Sequence, residues 1–297
     1  MSRPFIAVDW GTTSFRAYRI DASGKAVEDI AASEGILSVK DGDFDSALER
    51  HIGAWDKSLP ILAAGMITSR QGWIELPYLD CPAGAADMAR ALHRHEMKSG
   101  RVVHFSTGLH FLSPSLGHDV MRSEETQVFG ALATGARHFI TPGTHSKWID
   151  VEEGRITRFS TYVTGELFAV MKAHSLLGRL ITGDAPDEGA FRHGVEKSLA
   201  DPAGLSHVLF SARSLGLYNE LPGDKIASYM SGLIVGAEVA HALMTRDPKA
   251  GYVVLASRGI GGAYVSALAI AGVEARFGDS LAIVHGLHAI GAAAGIV

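Results

Sequence analysis

The sequence predicts an α/β fold of two lobes, each a β-meander followed by αβ units, with a central cleft between them. Three observations carry this. A length of 297 residues with 47% hydrophobic side chains is enough for two domains, each with its own core. A strand, a Gly-Thr-x-Ser turn and a second strand occur twice, about half the chain apart: Gly11-Thr12-Thr13-Ser14 and Gly143-Thr144-His145-Ser146 agree at three of four positions. Behind each copy, strands come first and strand–helix alternation follows. Residues 1–135 are then expected to form an N-terminal lobe and residues 136–297 a C-terminal lobe.

The elements follow in order. Phe5 to Val8 is an apolar run ending at Asp9, and Phe15 to Ile20 alternates at period two, so the start reads as strand, turn, strand. The turn at Asp21 to Lys25 leads into a third strand near Ala26 to Ile30. Pro60 to Ala64 reads as a buried strand opening onto the loop Gly65 to Trp73. Apolar spacing at Ala86, Ala89, Leu92 and Met97 predicts a helix over 85–98. Ser123 to Gly135 reads as a helix whose first turn carries Glu124 and Glu125, where the macrodipole favours carboxylates. Phe139 to Ser160 repeats the opening meander. Helices follow over 166–180 and 226–244, then a strand at Tyr252 to Ala256 and a glycine-rich turn, Ser257 to Gly262, into a helix over 263–271.

Composition excludes several classes. A net charge of −5 and the lack of a Lys/Arg cluster argue against nucleic acid as a partner. The apolar stretches at 265–273 and 281–297 are too short, or are broken by His285 and His288, to predict a membrane span. Residues 1–10 lack the long apolar segment of a signal peptide. The single cysteine, Cys81, permits no internal disulfide, so a cytoplasmic location is expected. His93 and His95 could chelate, but no third ligand completes a motif, and they are expected on a solvated helix face. A homo-oligomer is left open.

Turns of Gly, Thr and Ser expose backbone N–H groups and hydroxyls with no bulk in front of them, which suits phosphate oxygens. Two such turns could hold one polyphosphate. Asp9, closing the first strand, suits a hydrated Mg²⁺, which binds through few carboxylates; alternatively it orders its own turn. No Gly-x-x-x-x-Gly-Lys-[Ser/Thr] occurs, so a P-loop is excluded. The turn at Ser257, Gly259 and Gly261 misses the dinucleotide fingerprint, because Tyr264 stands at its third glycine, and could equally lie against an adenine and ribose.

Five segments, FIAVDWGTTSFRAYRI (5–20), GMITSRQGWIELPY (65–78), MRSEETQVFGAL (121–132), TPGTHSKWI (141–149) and TYVTGELFAVMKAHSLLGRL (161–180), together resemble the 2-dehydro-3-deoxygalactonokinase family. The resemblance implies the two-lobed, ribonuclease H-like superfold shared by actin, hexokinase and Hsp70 ATPases. It places Gly11, Thr12, Thr13 and Ser14 on the first phosphate motif and Gly143, Thr144, His145, Ser146 and Lys147 on the second. Ser257, Gly259 and Gly261 fall on the adenosine motif, and the helices from Glu124 and Ile226 become the connecting helices. It further implies ATP and Mg²⁺ as cofactors, a sugar acid as substrate, and phosphorylation of the 6-hydroxyl of 2-dehydro-3-deoxy-D-galactonate in galactonate catabolism. Glu125 falls on the general base, with Glu124 as the alternative; Ser123 stands where the family usually has glycine. The substrate carboxylate calls for a planar bidentate donor, with Arg70, Arg122 and Arg16 as candidates. Trp73 and Glu75 are expected to wall the sugar site, although Trp73 could be core. Two rival readings are a nicotinamide-dependent dehydrogenase built on the Gly259 turn and a non-catalytic sugar sensor on the kinase fold.

Overall fold

The computed structural model describes residues 3–114 and 116–297. The chain divides into two compact units. The first runs to Gly135 and also takes residues 150–159 and 279–297; the second comprises residues 136–149 and 160–278.

In the first unit, β1 (Phe5–Trp10), β2 (Phe15–Ile20) and β3 (Ala26–Ala32) form the expected meander. There follow α1 (Phe44–Ile52), β4 (Ile61–Ala64), β5 (Leu79–Asp80), α2 (Ala85–Arg90), β6 (His93–Glu96), β7 (Val102–Phe105), β8 (Leu109–Ser113), β9 (Gly117–Met121) and α3 (Glu124–Ala131). The main sheet has the order β3-β2-β1-β4-β7-β6, and β5-β8-β9 form a small second sheet. β1 and β4 pair in parallel, bringing Asp9 level with Ala64. Asp43 caps α1, its carboxylate accepting from the Ser46 N–H at 3.3 Å. The helix expected over 85–98 stops at Arg90. His93–Glu96 instead pair antiparallel with Val102–Phe105, so the two histidines lie on an edge strand rather than a helix. An open sheet edge outweighs a weak helical periodicity here.

The second unit carries β10 (His138–Thr141), then β11 (Ser146–Glu152) and β12 (Arg155–Tyr162), whose tip groups with the first unit. It continues through α4 (Thr164–His174), α5 (Glu188–Ala200), α6 (Leu205–Val208), α7 (Ser211–Leu217), α8 (Ile226–Leu243), β13 (Tyr252–Val254), α9 (Arg258–Ile270) and β14 (Ala275–Phe277). Its sheet order is β12-β11-β10-β13-β14. Counted within each half, both sheets therefore read 3-2-1-4-5 over their shared strands, the duplication that the paired turns predict. α9 begins at Arg258, so the glycines at 259, 261 and 262 form its first turn rather than a loop before it. α8 is apolar around most of its circumference and is buried accordingly. It is the one helix among the described residues long and apolar enough to cross a membrane, and it is 72% buried within the protein.

The last helix, α10 (Ala282–Ala293), belongs to the first unit. Period two in β1 explains why: Ile6, Val8 and Trp10 face α1, whereas Phe5 and Ala7 face Ile283, Val284 and Leu287 of α10. α10 crosses α3 almost backbone to backbone. A Cβ on Gly130 would lie 1.8 Å from the Ala282 carbonyl oxygen, and one on Gly286 1.8 Å from that of Thr126. Gly130→Ala should therefore push the helices apart and cost about 1–3 kcal/mol or more, read as a lower midpoint of urea unfolding. A wild-type midpoint would show that the crossing is not tight.

Candidate active site

Asp9, the penultimate residue of β1, is half-buried on the same face as Phe5 and Ala7. Burial pushes its carboxyl up, while the charge of Arg16, its neighbour across the β1–β2 ladder, and the Ser123 hydroxyl pull it down. The turn after it is closed by the Gly11 N–H donating to the Ser14 carbonyl at 2.8 Å. The Gly11 and Thr12 carbonyls are turned back onto the N–H groups of Ile36 and Leu37. Thr13 and Ser14 are exposed.

Ser123 joins this turn to α3. Its φ of 96° lies in the region that glycine favours. The strained backbone aims the Ser123 N–H at both carboxylate oxygens of Glu125, at 3.1 and 2.9 Å, and its hydroxyl at Asp9 Oδ1, 3.4 Å away. Glu125 is fully buried, and Thr126 Oγ1 donates to its Oε1 at 2.8 Å. Burial and the neighbouring Glu124 charge push the Glu125 carboxyl up to about 8. Glu124 is half-buried and accepts the Arg122 N–H at 2.9 Å.

Arg122 is 8% exposed and held by neutral partners. It donates to Thr68 Oγ1 at 2.6 Å and to the Leu76 carbonyl at 3.1 Å, lies 4.3 Å over the Tyr78 ring, and has no partner at Nε. With Arg70, Gln71, Glu75 and Tyr78 it lines an open cavity of about 830 Å³. Arg70 is 86% exposed and pairs with Glu75 at 3.2 Å. Two expected residues lie elsewhere. Trp73 stacks on Phe44 and edges onto Phe105 in the core, its flat ring filling the layer between α1 and the sheet. Arg16 stands beside Asp9 rather than in the cavity lining.

In the second unit, Thr144 and His145 are exposed on the turn, and His145 Nε2 meets Glu166 Oε2 at 2.6 Å. Ser146 and Lys147 are buried at the start of β11 instead of on the turn, because β11 begins one residue earlier than the turn motif suggests. The Ser146 hydroxyl is given to Glu238 of α8. Gly259 and Gly262 of α9, with Phe168 and Lys172 of α4 and Ser228 of α8, line a cavity of about 570 Å³. Gly261 faces the other way, where a Cβ would strike Phe277, and Ser257 is the exposed N-cap of α9.

Sequence reasoning missed Thr68, Tyr78, Thr164 and Glu238. Only Glu238 left a signal: it is the one Asp, Glu, Lys or Arg in the 18 residues of α8. No group of three or more His, Cys, Asp or Glu that could hold a metal occurs among the described residues. Burial, then the Asp80 charge, pushes the Cys81 thiol up to about 12, away from thiolate chemistry.

The family model for 2-keto-3-deoxy-galactonokinase matches residues 9–290. A Rhizobium meliloti protein named as a probable 2-dehydro-3-deoxygalactonokinase is 34% identical over 93% of this chain and 92% of its own length. The Escherichia coli 2-dehydro-3-deoxygalactonokinase is 33% identical over 81% and 80%. The crystal structure of a Sinorhizobium meliloti protein assigned to the same activity superposes with a TM-score of 0.90 at 33% identity, covering 97% of this chain and 98% of that one. With its duplicated sheet order and its carboxylates at the head of α3, the chain belongs to the 2-keto-3-deoxy-galactonokinase family.

Proposed function

We propose that this protein phosphorylates 2-dehydro-3-deoxy-D-galactonate at its 6-hydroxyl with ATP, in the cytosol, as a step of galactonate catabolism. The observation that carries the reading is the stretch Arg122 to Glu125, which sets a preorganised guanidinium, a strained serine and a buried carboxylate side by side. Arg122, locked by Thr68, Leu76 and Tyr78, receives the substrate carboxylate, and exposed Arg70 closes on it from the loop. Glu125, with its carboxyl near 8, takes the proton of the hydroxyl as the oxygen attacks the γ-phosphorus. The bond from that phosphorus to the β-bridging oxygen breaks, and ADP leaves. Residues 11–14 and 143–145 hold phosphate oxygens, while adenosine occupies the cavity at Gly259 and Gly262. Asp9 fits Mg²⁺: it is a half-buried carboxylate whose ionisation burial opposes, beside a hydroxyl, and such an ion needs few carboxylates. When bound, the ion neutralises charge on the phosphates. The nicotinamide reading has little left, since the residue at its third glycine, Tyr264, is buried against Glu238.

A coupled ADP-release assay on a panel of 2-keto-3-deoxy and parent sugar acids tests the activity, and turnover of neutral aldoses alone would overturn it. Asp9→Asn should fold normally, lose most turnover and bind ATP with little dependence on Mg²⁺; wild-type turnover with Mg²⁺ would remove the metal role.

Glu125→Gln should lower kcat by roughly 10²- to 10⁴-fold, with Glu124→Gln milder. Because only ionised Glu125 accepts the proton, kcat/KM should rise with pH and level off above about 8. Stability should run the other way. The folded state holds a proton that the unfolded chain, with an ordinary carboxyl near 4.5, has released, so stability falls as pH rises from 4.5 to about 8. Glu125→Gln should flatten that slope in urea titrations. If Glu124→Gln is the inactive variant instead, Glu124 is the base.

Arg122→Ala should cost about 2–5 kcal/mol in kcat/KM for the sugar acid, leaving KM for ATP unchanged. Arg122→Lys should recover little, because it loses the planar fork. A rise in both KM values would assign Arg122 to folding instead.

A further inference from the structure

α8 buries Glu238, 4% exposed, at the centre of four donors from three other elements. The two carboxylate oxygens divide them. Oε1 accepts from Ser146 Oγ at 2.6 Å and Trp148 Nε1 at 2.7 Å, both on β11, the strand that leaves the Gly143 turn. Oε2 accepts from Thr164 Oγ1, the first residue of α4, and from Tyr264 OH on α9 at 2.7 Å. The three elements so joined are those around the cavity and the second turn. α4 supplies Phe168 and Lys172 to the cavity, and α9 supplies Gly259 and Gly262. α4 also rests directly on the turn: Glu166 N–H donates to the Thr144 carbonyl at 3.0 Å, and a Cβ on Gly165 would lie 2.3 Å from the Gly143 carbonyl oxygen.

We propose that Glu238 is the positioning residue of the nucleotide half of the site, its two oxygens fixing the phosphate turn on one side and the α4 and α9 walls on the other. It touches no substrate. The inference rests on the kinase reading only in naming ATP as the occupant. Stability alone does not require the arrangement, because a buried carboxylate is costly to desolvate and an apolar residue would pack α8 more cheaply. A single carboxylate accepting from four donors sets the spacing of three elements at once.

The test is binding of a non-hydrolysable ATP analogue by calorimetry, with KM for both substrates and the thermal midpoint, on wild type, Glu238→Gln, Glu238→Ala and Tyr264→Phe. In Glu238→Gln the amide oxygen can keep Trp148, which must donate, together with the Ser146 hydroxyl, while its NH₂ faces Thr164 and Tyr264, whose hydroxyls can turn to accept. That variant should fold, bind the analogue roughly 5- to 30-fold more weakly, and show a raised KM for ATP with an unchanged KM for the sugar acid. Tyr264→Phe should give a smaller shift of the same kind. Glu238→Ala, which strands the Trp148 N–H, should lose more than either. Wild-type affinity in folded Glu238→Gln, or parallel rises in both KM values, would overturn the positioning role. If wild type binds the analogue but no sugar acid is phosphorylated, the substrate reading fails and the positioning role stands. If wild type binds no nucleotide, both fall.

Discussion

A carboxylate taken out of water must be compensated, and each unit of this protein buries a glutamate, Glu125 in the first and Glu238 in the second. The two are compensated differently. Glu238 meets four donors, which oppose the effect of its burial, although burial still prevails and pushes its carboxyl up. Glu125 has one backbone N–H shared between its oxygens and one hydroxyl, beside a second carboxylate whose charge adds to the effect of burial. The same side chain is thus tied on every side in one setting and left with few donors in the other. Much of the local architecture serves this contrast: the strained Ser123, the glycine crossing that seats α3, and the meeting of β11, α4 and α9 on α8.

The duplication is closer in topology than in use. The paired turns sit at equivalent places in two sheets of the same order. Yet Ser14 is exposed whereas Ser146 is buried and spent on Glu238. The second turn therefore offers Thr144 and His145 outward and uses its serine as an anchor. A motif that looks symmetrical in one dimension differs in three, exposing its serine in one copy and tying it to the protein in the other.

The strands, the repeated turns, the helices α3 and α8 and the acidic head of α3 were legible because periodicity, turn chemistry and the macrodipole are local properties. The family resemblance added the functional assignment of those pieces. What escaped was set by contacts distant in sequence. Trp73 and Arg122 are both large residues near a loop, and only packing sets one against the core beside a separate cavity and the other in the wall of the cavity it shares with Arg70. The edge strand at His93–Glu96 exists because β7 offers it a partner. Thr68 and Tyr78 matter only because Arg122 lies against them. Ser123 could be flagged as a departure from glycine, but its left-handed backbone and its two aimed bonds could not be read from the residue type.

The crossing of α3 and α10 has a bearing on how the chain is made. α3 carries Glu124 and Glu125 and precedes the whole second unit, whereas α10 follows it. Until it arrives, the Phe5 and Ala7 face of the first sheet lacks its cover and Gly130 lacks its partner. The unit that begins first is therefore the one that must wait, holding an apolar sheet face open while the second unit is translated. Over that interval this apolar face is open to chaperones and to mistaken association.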